Sequence, residues 1–123
     1  MKLIYIAGPY RAPTRWEEER NVRAAEALGY AVAQIGHFPV IPHANTRPYF
    51  SDAQPGAFWL AGTLELLRRC DAVLLLPGWG ESEGARGEKA DADRLGLPVF
   101  RCVEDLRHWD GSCPPKEDFT CDR

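Results

Sequence analysis

The segment from Asp71 to Phe100, DAVLLLPGWGESEGARGEKADADRLGLPVF, constrains the fold more than any other part of the chain. An apolar run of strand length, Ala72 to Leu76, leads into a polar loop that contains glycine. A helical stretch and a second short apolar run follow. Strands that alternate with helices in this way are typical of βαβ units, in which neighbouring strands are parallel. The segment therefore predicts an α/β protein.

The rest of the chain continues this alternation. Apolar, β-branched and aromatic residues predict strands over Lys2–Ala7, Phe38–Ile41, Ala72–Leu76 and Leu97–Phe100. Helices are predicted from a TRWE capping box at Thr14 to a stop at Gly36, and over Phe58–Arg69, Gly84–Leu95 and Glu104–Trp109. The turn-forming residues of segment 43–56 predict a long loop.

These elements predict a single doubly wound domain of the flavodoxin or Rossmann-like type. Its parallel sheet is predicted to have four to five strands, with a strand order of about 2-1-3-4, because crossover connections are right-handed. The length of 123 residues and the hydrophobic content of 45% suit one domain with a real core. We expect that domain to span residues 1–110 and residues 111–123 to form a flexible tail.

Composition limits the partners that we expect. The net charge of −3 disfavours polymeric nucleic acid as a partner. No apolar run approaches the roughly 20 residues that a membrane span needs, and the N-terminus lacks signal-peptide features. A cytoplasmic protein is the expectation. Cys113 and Cys121 lie in the tail without a second cysteine pair, so no metal site is predicted.

The predicted strand order locates a binding site. Because the chain reverses direction between the first and third strands, the loops after Ala7 and Leu76 share one crevice. Ligands of open α/β sheets bind in such a crevice, beyond the carboxyl ends of the strands. The binding candidates in these two loops are Gly8, Pro9, Tyr10, Arg11, Gly78 and Trp79. Arg11 has the side chain to bind a phosphate through two hydrogen bonds.

The helix after the third strand adds a candidate catalytic group. Topology directs the carboxylate of Glu88, one turn into this helix, towards the crevice. Gly84 lets the backbone approach a ligand closely. Arg86 is either a second phosphate-binding candidate or a surface residue.

Residues beyond the second strand leave alternatives open. The polar residues there are His43, Asn45 and Arg47, and the aromatic residues are Tyr49, Phe50, Phe58 and Trp59. The polar side chains are binding candidates or packing and solvated loop residues. The aromatic rings could stack on a nucleobase, cover the sheet or form a contact between subunits.

Three stretches, IAGPY, LELLRRCDAVLLLPGW and SEGARGEKADADRLGLPVF, resemble the nucleoside 2-deoxyribosyltransferase-like superfamily. The resemblance covers Met1 to Trp109 and is closest to a small bacterial and phage branch near the nucleotide N-glycosidases. It implies that Glu88 attacks C1′ of a deoxynucleoside or its 5′-monophosphate, without a cofactor. It also implies that Ser82 and the turn from Gly8 to Arg11 hold the sugar or phosphate. A serine rather than an acidic residue at position 82 favours a phosphorylated substrate, because a hydroxyl can donate to phosphate.

The resemblance further implies a homodimer or larger homo-oligomer. The aromatic segment from Tyr49 to Trp59 is the candidate interface, because a monomer this small would struggle to cover it. One residue departs from the family pattern. Many members carry an aspartate that assists the departing base, and the matching residue here is Thr63. A threonine is not a useful general acid near neutral pH, so Glu65, His43 or another residue would have to replace it, or activity is weak, altered or absent.

Three functions remain open from the sequence. The first is an N-glycosidase or deoxyribosyltransferase that acts through a covalent glycosyl–Glu88 intermediate. The second is a catalytically silent nucleotide-binding or sensor domain, which Thr63 supports. The third is a phosphoribohydrolase that acts on ribonucleotides. Resemblance in fold does not choose among them.

Overall fold

The computed structural model describes residues 1–46 and 53–112. Within them, four strands form one parallel sheet in the order β2-β1-β3-β4. The strands are β1 (Leu3–Ala7), β2 (Phe38–Val40), β3 (Ala72–Leu75) and β4 (Val99–Phe100). The predicted α/β class, parallel sheet and strand order are confirmed.

Five helices connect or follow these strands in the described residues. They are α1 (Arg15–Gln34), α2 (Pro42–Asn45), α3 (Gly56–Arg68), α4 (Glu83–Leu95) and α5 (Val103–Arg107), and a 3₁₀ turn spans Trp79–Glu81. The predicted ends of the long helices lie within two residues of these bounds. Arg47, Tyr49, Phe50, Cys113 and Cys121 lie outside the described residues.

The short helix α2 corrects the prediction of a continuous loop after the second strand. Pro42 occupies its first position, where proline's fixed φ suits a helix and its missing N–H costs nothing. The hydroxyl of Thr46 donates to the Pro42 carbonyl oxygen at 3.0 Å and closes the turn. A helix of one turn is too short to show an apolar period, so the pattern did not reveal it.

The central strand β1 divides the core into two layers. Its side chains alternate between the faces of the sheet. Ile4 and Ile6 pack with residues of α1 and α5, whereas Tyr5 and Ala7 pack with residues of α3 and α4. Because α4 carries Glu88, the side chain of Tyr5 lies on the same face of the sheet as this candidate catalytic residue.

The carboxyl ends of β1 and β3 lie in close contact. The Leu76 N–H donates to the Ala7 carbonyl oxygen at 2.8 Å. A Cβ on Gly8 would lie 2.4 Å from Cδ1 of Leu76, so only glycine fits there without a shift. Gly78 has a φ of 85°, and a Cβ on it would lie 3.6 Å from Cγ of Pro9. The loops after Ala7 and Leu76 are therefore adjacent, as the strand order predicts.

Candidate active site

The phenol of Tyr5 and the carboxylate of Glu88 form the central contact of the site. Tyr5 lies in the middle of β1 with a solvent exposure of 0%. Its hydroxyl donates a hydrogen bond to Oε2 of Glu88, which reaches the sheet from α4. A buried tyrosine hydroxyl needs a polar partner, and Glu88 supplies one. The pair places a half-buried carboxylate against the central strand.

Burial changes the proton affinity of both groups. Removal from solvent raises the pKa of Glu88 to about 7, while the Tyr5 hydrogen bond lowers it and the nearby Asp91 carboxylate raises it. Burial and the Glu88 carboxylate raise the pKa of Tyr5 well above its ordinary value. Tyr5 therefore remains a hydrogen-bond donor at neutral pH, where Glu88 exists in both protonation states. Carboxylates with pKa values moved towards neutrality are typical of catalytic sites.

The loop before α4 fixes the start of the helix that carries Glu88. Ser82 is the N-cap, and its Oγ accepts a hydrogen bond from the Ala85 N–H at 3.2 Å. The guanidinium of Arg86 donates to the Gly80 carbonyl oxygen at 2.9 Å and joins the helix to the preceding 3₁₀ turn. A Cβ on Gly84 would lie 4.0 Å from Oγ of Ser82, so packing does not require a glycine there.

Trp79 lies in the 3₁₀ turn after β3, close to the residue that follows β4. Its ring packs against the core layer that contains Tyr5. The guanidinium carbon of Arg101, the residue after β4, lies 5.5 Å from the centre of the Trp79 ring. A guanidinium at this distance from an indole ring is favourable. Trp79 thus contacts both the core and Arg101.

The turn after β1 is held by α2. Nε2 of His43 donates to the Pro9 carbonyl oxygen at 2.8 Å, and the Tyr10 hydroxyl donates to the Thr46 carbonyl oxygen at 3.0 Å. His43 is 5% exposed, and burial lowers its pKa, so the ring is neutral at neutral pH. This contact gives His43 a role in shaping the turn. Asn45, the other binding candidate in α2, is exposed.

A cleft of about 470 Å³ opens between the turn after β1, the first turns of α1, the end of α2 and helix α3. Its lining residues are Tyr10, Arg11, Arg15, Glu18, Thr46, Gly56, Trp59, Leu60 and Thr63. The cleft brings Tyr10 and Arg11 from the first loop together with Trp59 and Thr63. Volumes of roughly 300–1,000 Å³ are usual for small-molecule sites.

Thr63, Glu65 and His43 were considered as groups that could protonate the leaving base. None of them is a free acid in this cleft. Thr63 lines the cleft, but its hydroxyl donates to the Leu60 carbonyl oxygen at 2.9 Å. Glu65 is exposed and pairs with Arg68 and with Arg69, the latter at 3.5 Å. His43 is bonded to Pro9.

Sequence reasoning missed Tyr5, Arg15 and Glu18. A signal existed for Tyr5, since a phenol in an otherwise apolar buried strand requires a polar partner. No signal in the sequence placed Arg15 and Glu18 in a cleft, because both read as ordinary residues of a helix's first turns. Within residues 1–46 and 53–112, no cluster of three His, Cys, Asp or Glu side chains is arranged to hold a metal ion.

The chain belongs to the family described as a domain of unknown function, DUF7768, whose sequence model matches residues 2–102. Among solved structures, it is similar to a 2-deoxyribosyltransferase from the psychrotolerant bacterium Bacillus psychrosaccharolyticus. The TM-score is 0.62 and the sequence identity is 20%, over 88% of this chain and 92% of that chain. No curated protein matches the sequence. At this identity, the likeness shows that the two proteins share a fold.

Within the described residues, no helix is both long and apolar enough to cross a membrane.

The Tyr5–Glu88 contact makes a prediction about titration. We expect Tyr5→Phe to raise the pKa of Glu88 above about 7, because the hydrogen bond that favours the ionised carboxylate is lost. Carboxyl carbon chemical shifts of Glu88, followed by NMR from pH 5 to 9, measure this midpoint. Tyr30→Phe is the matched control, since Tyr30 is 69% exposed. A midpoint that stays constant or falls in Tyr5→Phe would contradict the assignment.

Proposed function

We propose that this protein cleaves or exchanges the N-glycosidic bond of a 2′-deoxynucleoside or its 5′-monophosphate, with Glu88 as the nucleophile. The observation that carries the proposal is the partly buried hydrogen bond between Tyr5 and Glu88. The fold shared with a 2-deoxyribosyltransferase supports the choice of glycosyl chemistry. The position of Glu88, one turn into the helix that follows the central crevice, supports its role.

The proposed reaction proceeds by two displacements. An ionised Glu88 oxygen forms a bond to C1′ while the C1′–N bond breaks and its electron pair leaves with the base. Water then attacks C1′ and releases the sugar with net retention, or a second base attacks and is glycosylated. Tyr5 hydrogen-bonds to Oε2 and leaves Oε1 of Glu88 available for attack. Tyr5 acts in this proposal as a positioning residue.

The pKa of about 7 suits this nucleophile. The carboxylate must be ionised to attack, so the proposed activity rises as pH increases through about 7. The same burial that raises the pKa removes part of the hydration that makes a carboxylate a weak nucleophile in water. Burial and reactivity are therefore linked at this residue.

No carboxylic acid is present at position 63 to assist the departure of the base. Thr63 lines the cleft with its hydroxyl bonded to a backbone carbonyl, so we expect slow turnover. This observation also favours a second candidate function, a silent nucleotide-binding domain that uses the same crevice. The two candidates differ in one measurable respect, which is whether Glu88-dependent release of base occurs.

Ser82 supports a phosphorylated substrate. Its Oγ accepts the helix N-cap hydrogen bond, while its O–H hydrogen is still available to donate to an anion. The backbone N–H groups at the start of α4 add donors of the same kind.

A homodimer is part of the proposal. Helix α3 exposes Leu60 at 74% beside the candidate cleft, and Phe58, at 52%, lies on a different face of the same helix. A second copy of the chain that packs on the Leu60 face would cover exposed apolar surface by a two-fold contact. The interface would then lie at the mouth of the cleft, where a neighbouring subunit can complete the site.

The test of the proposed reaction is release of free base, measured by chromatography. The panel contains deoxynucleosides, ribonucleosides and their 5′-monophosphates, each with and without an acceptor base. We expect release from deoxy substrates by the wild-type protein and at least a 1,000-fold loss in Glu88→Gln, roughly the cost of removing a catalytic nucleophile. Glu83→Gln, on the same helix and exposed, is the matched control.

No base release at enzyme concentrations close to those of the substrates would contradict the proposal. Binding without release would then favour the silent domain. Release from ribonucleotides alone would instead identify a phosphoribohydrolase.

Position 63 offers a gain-of-function test. We expect Thr63→Asp to raise the rate of base release by about 100-fold or more, in line with the usual contribution of a general acid. Thr63→Asn has the same shape without the acid and serves as the control. Equal rates for the two variants would show that an acid at this position does not reach the departing base.

A further inference from the structure

Asp91 lies beside Glu88 on helix α4. Residues three positions apart on a helix are neighbours on its surface, with Cβ atoms about 5–6 Å apart. Both side chains are half-buried. The Asp91 carboxylate contributes to the raised pKa of Tyr5 as well as to that of Glu88. Helix α4 therefore places a second carboxylate next to the Tyr5–Glu88 contact.

Arg94 is the partner of Asp91. Its guanidinium donates a hydrogen bond to Oδ1 of Asp91 at 2.6 Å, about one turn further along the same helix. The side chain of Arg94 is 63% exposed, whereas that of Asp91 is 29% exposed. The pair thus consists of a cation in contact with solvent and a less exposed anion next to Glu88.

The other titratable groups around Glu88 are neutral, paired or exposed. Cys70 lies in the same core layer as Tyr5, and its thiol is neutral because burial raises its pKa to about 11. Strands β3 and β4 contribute apolar side chains to this layer. The charged side chains of α3, α4 and the preceding loop are Glu65 with Arg68 and Arg69, Lys89 with Asp93, and the exposed Glu81, Glu83 and Arg86. Asp91 is the carboxylate that acts on Glu88 through its charge.

The two members of the pair have opposite effects on Glu88. A neighbouring carboxylate disfavours a second negative charge, whereas the guanidinium bound to that carboxylate cancels part of the repulsion. The reaction proposed above requires an ionised Glu88. The pair therefore acts on the fraction of molecules that is ready to react.

We infer that the ion pair of Asp91 and Arg94 controls the pH at which the nucleophile Glu88 becomes ionised. Asp91 is the repelling group, and Arg94 offsets it. The effect on activity rests on the proposed function, since the inference concerns regulation of that same carboxylate. Both residues act through Glu88 and are positioning residues.

An NMR titration of Glu88 in the full chain tests the inference. The carboxyl carbon signal is assigned by its loss in Glu88→Gln and is followed from pH 5 to 9. Asp91→Asn should lower the midpoint by roughly half a pH unit, the effect of one charge about 6 Å away in water-like surroundings. Arg94→Gln should raise it by about 0.3 pH units, because the arginine is exposed. Arg94→Lys keeps the charge and should leave the midpoint unchanged.

The pair of Glu104 and Arg107 on α5 is the matched control. It has the same three-residue spacing, with an N–O distance of 3.2 Å, and α5 packs on the opposite face of the sheet. Glu104→Gln and Arg107→Gln should leave the Glu88 midpoint unchanged. Equal shifts in these control variants would overturn the inference. So would shifts of the same sign in Asp91→Asn and Arg94→Gln, or no shift in either.

The pH profile of base release gives a second readout. One pH unit below the wild-type midpoint, Asp91→Asn should release base about two- to threefold faster, because more of Glu88 is ionised there. At high pH, where Glu88 is fully ionised in both proteins, the two rates should be equal. A merely structural role for Asp91 would lower the rate at high pH and leave the midpoint unchanged.

The two measurements separate this inference from the proposed function. Midpoint shifts of opposite sign, without base release, would support control of Glu88 by the ion pair and refute the reaction. Base release that depends on Glu88, with a midpoint that neither variant moves, would support the reaction and refute this control.

Discussion

The hydrogen bond between the buried phenol of Tyr5 and the carboxylate of Glu88 is the interaction on which the site depends. It joins the central strand of the sheet to the helix that follows the crevice, across 83 residues of sequence. Burial alone would keep Glu88 protonated above neutral pH, and the phenol offsets part of this effect by stabilising the ionised form. The contact therefore sets both the position and the charge of the candidate nucleophile.

The surroundings of this pair are fixed by close backbone contacts. Gly8 allows the turn after β1 to lie against Leu76, and His43 holds the carbonyl of Pro9 from α2. These contacts determine where Tyr10 and Arg11 enter the cleft. A turn held from two sides loses little conformational entropy when a ligand binds, which favours tight and specific recognition. The fold and the candidate binding surface are thus built from the same contacts.

The sequence predicted the fold well because strands, helices and right-handed crossovers leave local signals. The capping residue Thr14 and the strand order are confirmed in the structure. The partners of Tyr5 and His43 were not predictable, because these hydrogen bonds join residues 83 and 34 positions apart. Sequence placed Glu88 near the crevice, but only the packing of α4 on β1 shows which group it contacts. The grouping of Arg15 with Thr63 likewise depends on how α1 and α3 meet.

Mass spectrometry of the protein during turnover is the most direct test of the central claim, that Glu88 is a nucleophile positioned by Tyr5. Acid quenching within the first turnovers, followed by fragmentation, locates any covalent adduct. The account predicts a deoxyribosyl group on Glu88, at lower occupancy in Tyr5→Phe. Base release without an adduct, together with a product of inverted configuration at C1′, would mean that water attacks directly and that Glu88 is not the nucleophile.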